Sequence, residues 1–369
     1  MNGAQKTANR SFYWLLLPLV VGFSAWQGWA WWSWASGPVL TEVPSNPSAV
    51  DNATVRIQIA QGTSAQQIGQ DLENIGAIRS ANAWNLWYRW ERLRDRNAAF
   101  KAGTYEVSPT ESMPEIADKI QAGQVVQESF TIPEGWSLEQ MANYFEDRDL
   151  FTAEEFLAAV QQIPYEAHPW LPPNLPHLEG FLYPDTYQIP AGEIEPEDAI
   201  AQMLERFEQI ALPVYQENRQ ATLFSLLEWV TLSSIVEKEV VVAEERDLIA
   251  AVFAKRLQEN IPLGADPTVE YGLNVTQTPD RPLTLRQVRT PSPYNTYLNP
   301  GLPPTPIASP GIDNLKATLN PKDTDYLYFV ARYDGTHVFS RTLIEHEAAQ
   351  TKIRQERQNA TPLDPSASP

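Results

Sequence analysis

Three features of the 369-residue chain predict an α+β fold: a single N-terminal transmembrane helix, a small strand–helix subdomain and a larger mixed α+β domain. The first is an uncharged apolar stretch near the N-terminus. The second is a strand–turn–helix pattern that occurs twice at one offset. The third, from about residue 128 onward, is an alternation of helical periodicity with proline-rich loops, closed by a late pair of strands.

The apolar stretch runs from Phe12 to Ala35, with no charged residue between Arg10 and Glu42. At about 1.5 Å per residue it is long enough to cross a hydrocarbon core of about 30 Å. Lys6 and Arg10 precede it, which puts the N-terminus in the cytoplasm and the rest of the chain outside. Trp29, Trp31, Trp32 and Trp34 gather at its far end, where indoles favour the interface. A cleaved signal peptide is the alternative, with a site after Ala35; either way the remainder is exported. Residues 1–11 then form a cytoplasmic N-terminus, 12–35 the anchor and 36–52 a linker marked by Pro38, Pro44 and Pro47.

Thr54 to Ala60 alternates as a strand does, and Ser64 can N-cap a helix carrying Ile68, Leu72 and Ile75. The pattern returns after 73 residues: Phe130 and Ile132 match Ile57 and Ile59, Gly135 and Ser137 match Gly62 and Ser64, and Met141 and Phe145 match Ile68 and Leu72. Between the copies lie an aromatic-rich helix over Trp84–Leu93, a strand over 103–107 and a helix over 112–121. Beyond them, Thr152 and Glu155 form a capping box, and the passage from Pro164 to Pro176 is too proline-rich for helix or strand. Helices are predicted over 196–210, 223–239 and 245–259, and loops over 265–273 and 292–311. The second loop offers few residues to a core, and its Tyr and Asn content suits sugar binding. Two strands flank the Asp334-Gly335 turn, a helix runs through Glu345-His346-Glu347, and residues 356–369 read as a disordered tail.

Composition narrows the function classes. A net charge of −19 argues against nucleic-acid binding and against broad adhesion to anionic lipid. The absence of cysteine removes disulfides, thiol nucleophiles and Cys-type zinc sites. The four histidines contain no HExxH pair, so a metallohydrolase has no obvious ligand set.

The chemistry-bearing stretch is His177 to Tyr187, HLEGFLYPDTY, in which Glu179 stands in apolar company. Burial disfavours ionisation, and a carboxyl group still protonated near neutral pH can serve as a general acid. From these residues alone, Glu179 could equally cap a turn.

In order, Leu178-Glu179-Gly180 through Tyr187, Ser234-Ile235-Val236-Glu237-Lys238-Glu239, Asp266-Pro267-Thr268-Val269, Asn295-Thr296-Tyr297, Gly301-Leu302-Pro303-Pro304 and His337-Val338-Phe339-Ser340 resemble the YceG/MltG family of endolytic murein lytic transglycosylases. The resemblance covers roughly residues 128–353; it departs at Thr305, where the family usually has glycine. It implies a YceG-like catalytic domain over 128–355, and residues 53–127 look like a LysM-like glycan-binding subdomain. It also implies cleavage of peptidoglycan between N-acetylmuramic acid and N-acetylglucosamine, a 1,6-anhydro end, no cofactor and no metal. Partners implied are glycan strands and membrane-bound peptidoglycan synthases. Glu179 falls on the family's catalytic glutamate. Tyr187, Glu237, Glu239, Asn295, Tyr297 and His337 are candidates for the substrate-binding shell. A non-catalytic wall scaffold and a conventional muramidase are the competing readings.

Overall fold

A computed structural model describes residues 4–40, 54–95, 99–192, 194–278, 281–319, 321–332 and 334–360. Most of the predicted linker and residues 361–369 of the predicted tail lie outside this set. The chain divides into two units, Met1–Glu128 with Gln188–Glu193, and Ser129–Tyr187 with Ile194–Pro369.

The first unit begins with helix α1 (Ala4–Ser36), which contains the predicted anchor. Among the described residues, no helix is long and apolar enough to cross a membrane. At 33 residues α1 does not lack length; Pro18, Ser24, Gln27 and the many indoles dilute its hydropathy. After α1 come β1 (Val55–Ile59), α2 (Ala65–Asn74), α3 (Ala81–Arg94), β2 (Gly103–Val107) and α4 (Met113–Ala122). Strands β1 and β2 pair antiparallel, from Val55 opposite Val107 to Ile59 opposite Gly103. The period-2 alternation aims Ile57 and Ile59 inward, onto Ile68 and Leu72 of α2 and Trp84 and Trp87 of α3. Trp32 and Ala35 of α1 join this core. The Arg79 guanidinium donates to the Trp34 carbonyl at the end of α1, at 3.0 Å.

Strands β3 (Gln127–Thr131) and β4 (Thr186–Pro190) form a second two-stranded sheet. The second unit then holds α5 (Leu138–Glu146), α6 (Ala153–Ala159), α7 (Pro196–Asn218), α8 (Leu226–Glu239), α9 (Arg246–Gln258), α10 (Asp266–Leu273), α11 (Leu285–Val288), α12 (Ile312–Leu319), β5 (Tyr328–Ala331), β6 (His337–Ser340) and α13 (Leu343–Ala360). Helix α8 is central, buried continuously from Trp229 to Val236, with Thr231, Ser233 and Ser234 inside as well as its apolar residues. The Trp229 indole N–H donates to the Leu315 carbonyl of α12 at 2.8 Å, and its ring stacks on Tyr215 of α7.

The repeat predicted at a 73-residue offset is present in local geometry. Ser64 and Ser137 both N-cap a helix, accepting from Gln67 N and Gln140 N, and Gly62 and Gly135 both take positive φ. Two loop predictions need correction. Residues 266–273 form helix α10 rather than a loop, started by Pro267 in its first turn and ended at Asn274 in the left-handed region. Residues 305–311, read as offering little to a core, are buried. Proline lacks an N–H, so Pro306 and Pro310 bring no donor inside. Three of the donors that remain are tied down: Ile307 N on Ser234 Oγ (3.0 Å), Ser309 N on the Trp136 carbonyl (2.8 Å) and Gly311 N on Glu237 Oε2 (2.8 Å).

Candidate active site

All of the groups that surround Glu179 belong to the second unit. The loop Leu178–Tyr183 is wholly buried, and Glu179 is 1% exposed. Its position is fixed from both sides. The Glu179 N–H donates to Nδ1 of His177 (3.3 Å), whose own burial keeps that imidazole below its usual pKa and therefore able to accept. Gly180 sits at φ +82°, which turns the chain so that the carboxyl group points back toward α5. A Cβ at Gly180 would lie 2.4 Å from Pro306 Cβ and 3.0 Å from Val230. Gly180→Ala is therefore expected to cost about 2–4 kcal/mol, from left-handed strain plus overpacking, read as a lowered midpoint in chemical denaturation.

The carboxylate meets donors from three residues: the Leu138 N–H, the Tyr271 hydroxyl and the Gly180 backbone N–H. The Leu138 N–H, at the open N-terminus of α5, is shared between Oε1 and Oε2 at 3.2 Å each. The Tyr271 hydroxyl donates to Oε2 at 3.0 Å. These bonds and the nearby Lys238 favour the charged form, but burial outweighs them and pushes Glu179 up to about 8. Relative to 4.5 this is a difference of about 5 kcal/mol between the two protonation states. Both oxygens share the Leu138 N–H, and Oε2 also takes the Tyr271 hydroxyl.

Tyr271 comes from α10, a segment whose sequence reads as loop, so its hydroxyl is the contact that sequence reasoning missed. It packs against Tyr294 at 4.8 Å, and the Tyr294 hydroxyl bonds Thr305 Oγ1 at 2.8 Å. Lys238 was also missed; its Nζ donates to the Gly135 carbonyl at 3.2 Å.

The expected substrate shell does not assemble as one set. Tyr187 is buried, stacks on Phe130 and donates its hydroxyl to the Tyr183 carbonyl. Asn295 is buried in its own loop, its amide donating to Val288 and Thr290 carbonyls at 2.8 and 2.9 Å while Oδ1 accepts from Tyr297 N. His337 pairs with Glu245 at 2.7 Å and anchors β6 to the turn before α9. Glu237 accepts from Gly311 N and from Asn314 Nδ2 (2.6 Å), which holds the buried loop against α8. These four are each engaged within the fold: a polar side chain inside a fold takes whichever backbone or side-chain partner is within reach. Tyr297 and Glu239 differ. The half-exposed Tyr297 ring lies over Gly264 and its hydroxyl donates to Asp266 at 2.7 Å. Glu239 keeps some solvent access, yet the surrounding protein and then the charges of Asp266 and Glu270 push it up to about 8. Among the described residues, no three His, Asp or Glu side chains are grouped as a metal site.

The sequence profile of the YceG-like family matches residues 57–352. An endolytic murein transglycosylase of Bacillus subtilis is 31% identical over 312 residues, covering 81% of this chain and 84% of that protein. One of Streptococcus pneumoniae is 31% identical over 306 residues, or 75% of this chain; the match spans only 54% of that longer protein. The crystal structure of a yceG-like protein from Listeria monocytogenes superposes with a TM-score of 0.55 at 31% identity, over 80% of this chain and 99% of that one. With a profile match across most of its length and relatives of this identity, the chain belongs to the YceG-like family.

Proposed function

We propose that the chain is a peptidoglycan lytic transglycosylase in which Glu179 alone serves as acid and then as base. One observation carries this reading: a buried carboxyl group, its pKa pushed up to about 8, held in place by the Tyr271 hydroxyl and the Leu138 N–H. The names of the relatives support the substrate class.

In the first step the Glu179 proton passes to the glycosidic oxygen as the C1–O bond of the muramic sugar breaks. The bonding pair leaves on that oxygen. In the second, the new carboxylate takes the proton of the sugar's own 6-hydroxyl as O6 bonds to C1. No water enters, and Glu179 ends as it began. Because the nucleophile is tethered to the electrophile, no second carboxyl group is needed to position water, unlike a conventional glycosidase. Glu237 fits this account, since its carboxylate is already committed to Gly311 and Asn314.

The strand–helix–helix–strand order of β1, α2, α3 and β2 supports reading the first unit as a LysM-like glycan-binding module. Attachment to the outer face of the plasma membrane through α1 belongs to the same proposal. It is supported by the uncharged stretch from residue 11 to 41 and by exposed Leu19, Val20, Val21 and Phe23. Membrane-bound synthases are the partners such a location would supply.

The pH profile tests the acid role. The free enzyme's acid must be protonated, so kcat/KM on purified glycan strands should fall above about pH 8, with slope one. A rate that rises through pH 8 would require Glu179 to act only as a base and would defeat the proposal.

A further inference from the structure

Helix α3 carries apolar side chains on two faces. Ala83, Trp84 and Trp87 are buried in the core of the first unit. Leu86, Trp90 and Leu93, spaced four and three residues apart, form a second stripe that is 53%, 53% and 83% exposed. Three large apolar residues left together in water mark an interaction surface. Exposed Arg89, Arg92 and Arg94 flank the stripe, with the Arg94 guanidinium 4.6 Å from the Trp90 ring centroid. An open cavity of about 1040 Å³ runs beside them, lined also by Asn82 and Asn85.

Charge is distributed unevenly along the chain. Residues 1–128 contain ten Lys and Arg against eleven Asp and Glu, a net of −1, which leaves −18 of the total −19 to the remainder. The acidity that argues against broad adhesion to anionic lipid therefore does not extend to the first unit. Within that unit α3 shares a core with Trp32 and Ala35 of α1.

We propose that the outer face of α3 is a second membrane contact. The Leu86–Trp90–Leu93 stripe enters the boundary between headgroups and acyl chains, about 5–10 Å deep, and the arginines meet anionic lipid phosphates. A basic and aromatic face suits that boundary, because indole and guanidinium both have one wet and one apolar side. The proposal rests on the reading that α1 attaches the chain to a membrane. It also accounts for how a helix of diluted hydropathy could hold a large acidic domain at a surface, since two weak contacts act jointly.

The absence of cysteine allows a clean test. Full-length Leu93→Cys, Val21→Cys and Gln58→Cys proteins are labelled with an environment-sensitive dye and reconstituted into vesicles of phosphatidylethanolamine with phosphatidylglycerol. Quenching by brominated lipid is then recorded. The expected result is quenching at positions 93 and 21, none at 58, and about fivefold weaker partition of the label at 93 for each of Arg89→Gln and Arg92→Gln. An aqueous label at 93 with a quenched one at 21 overturns the α3 contact while leaving the anchor standing. Aqueous labels at both positions overturn the attachment reading and the α3 contact with it. Protection of position 93 only when membrane proteins are added overturns the lipid assignment in favour of a protein partner.

Discussion

Glu179→Gln is expected to lower turnover on purified peptidoglycan by at least about a thousandfold, because the proposed mechanism gives one group two proton transfers, each worth roughly 10²–10⁴. The amide is nearly isosteric with a neutral carboxyl group, so below about pH 4.5 the variant should be as stable as the wild type. The stability comparison should then change with pH in a defined direction. Glu179 has a folded pKa raised from 4.5 to about 8, so its contribution to stability is fully present below 4.5 and is lost as pH rises through 8. The amide of the variant has no such dependence. At pH 9 the variant should therefore be the more stable protein, by on the order of 4 kcal/mol. Denaturant titrations at about pH 4 and pH 9 read this directly. Glu239, also raised to about 8, gives both proteins the same background slope, which cancels in the difference. A catalytic loss without the crossover in stability would mean that Glu179 is ionised in the fold and cannot be the acid.

Tyr271→Phe carries the second-largest effect. The hydroxyl stabilises the carboxylate that forms when Glu179 gives up its proton, and a hydrogen bond to a charged group contributes about 1.5–3 kcal/mol. Turnover should fall about 10- to 100-fold. Losing a bond that favours the charged form also raises the pKa of Glu179, so the alkaline limb should move upward by about one to two units. The ring remains in Phe, which preserves its packing on Tyr294. A structural prop would show reduced stability with the limb unmoved, and that outcome would remove Tyr271 from the proton-handling set.

Local signals carried well into the fold. The strand alternation and serine caps of the two strand–turn–helix copies are short-range features, and Ile57, Ile59, Phe130 and Ile132 are buried as the period-2 pattern requires. Glu179 is legible for the same reason: its burial follows from the apolar residues on either side of it. Groups recruited from a distance are not. Tyr271 lies 92 residues from Glu179 and sits on a helix announced only by Asp266-Pro267 at its start and by Asn274 at its end. The segment around Asn295 reads as polar loop and therefore as sugar-binding, but its amide closes the loop on itself. Residues 305–311 read as unfit for a core; they are buried because prolines demand no acceptors and because Ser234, Trp136 and Glu237 receive three of the donors that remain. His337 is tied to Glu245, a partner 92 residues away that no local signal announces.

The intramolecular mechanism is tested most directly by mass spectrometry of the products released from purified murein in heavy-oxygen water. An enzyme in which Glu179 hands the proton from O6 to the leaving oxygen must release chain ends one water lighter than a reducing sugar, with no label incorporated. Reducing muramic ends carrying the heavy oxygen would show that water attacks C1, and would contradict the account.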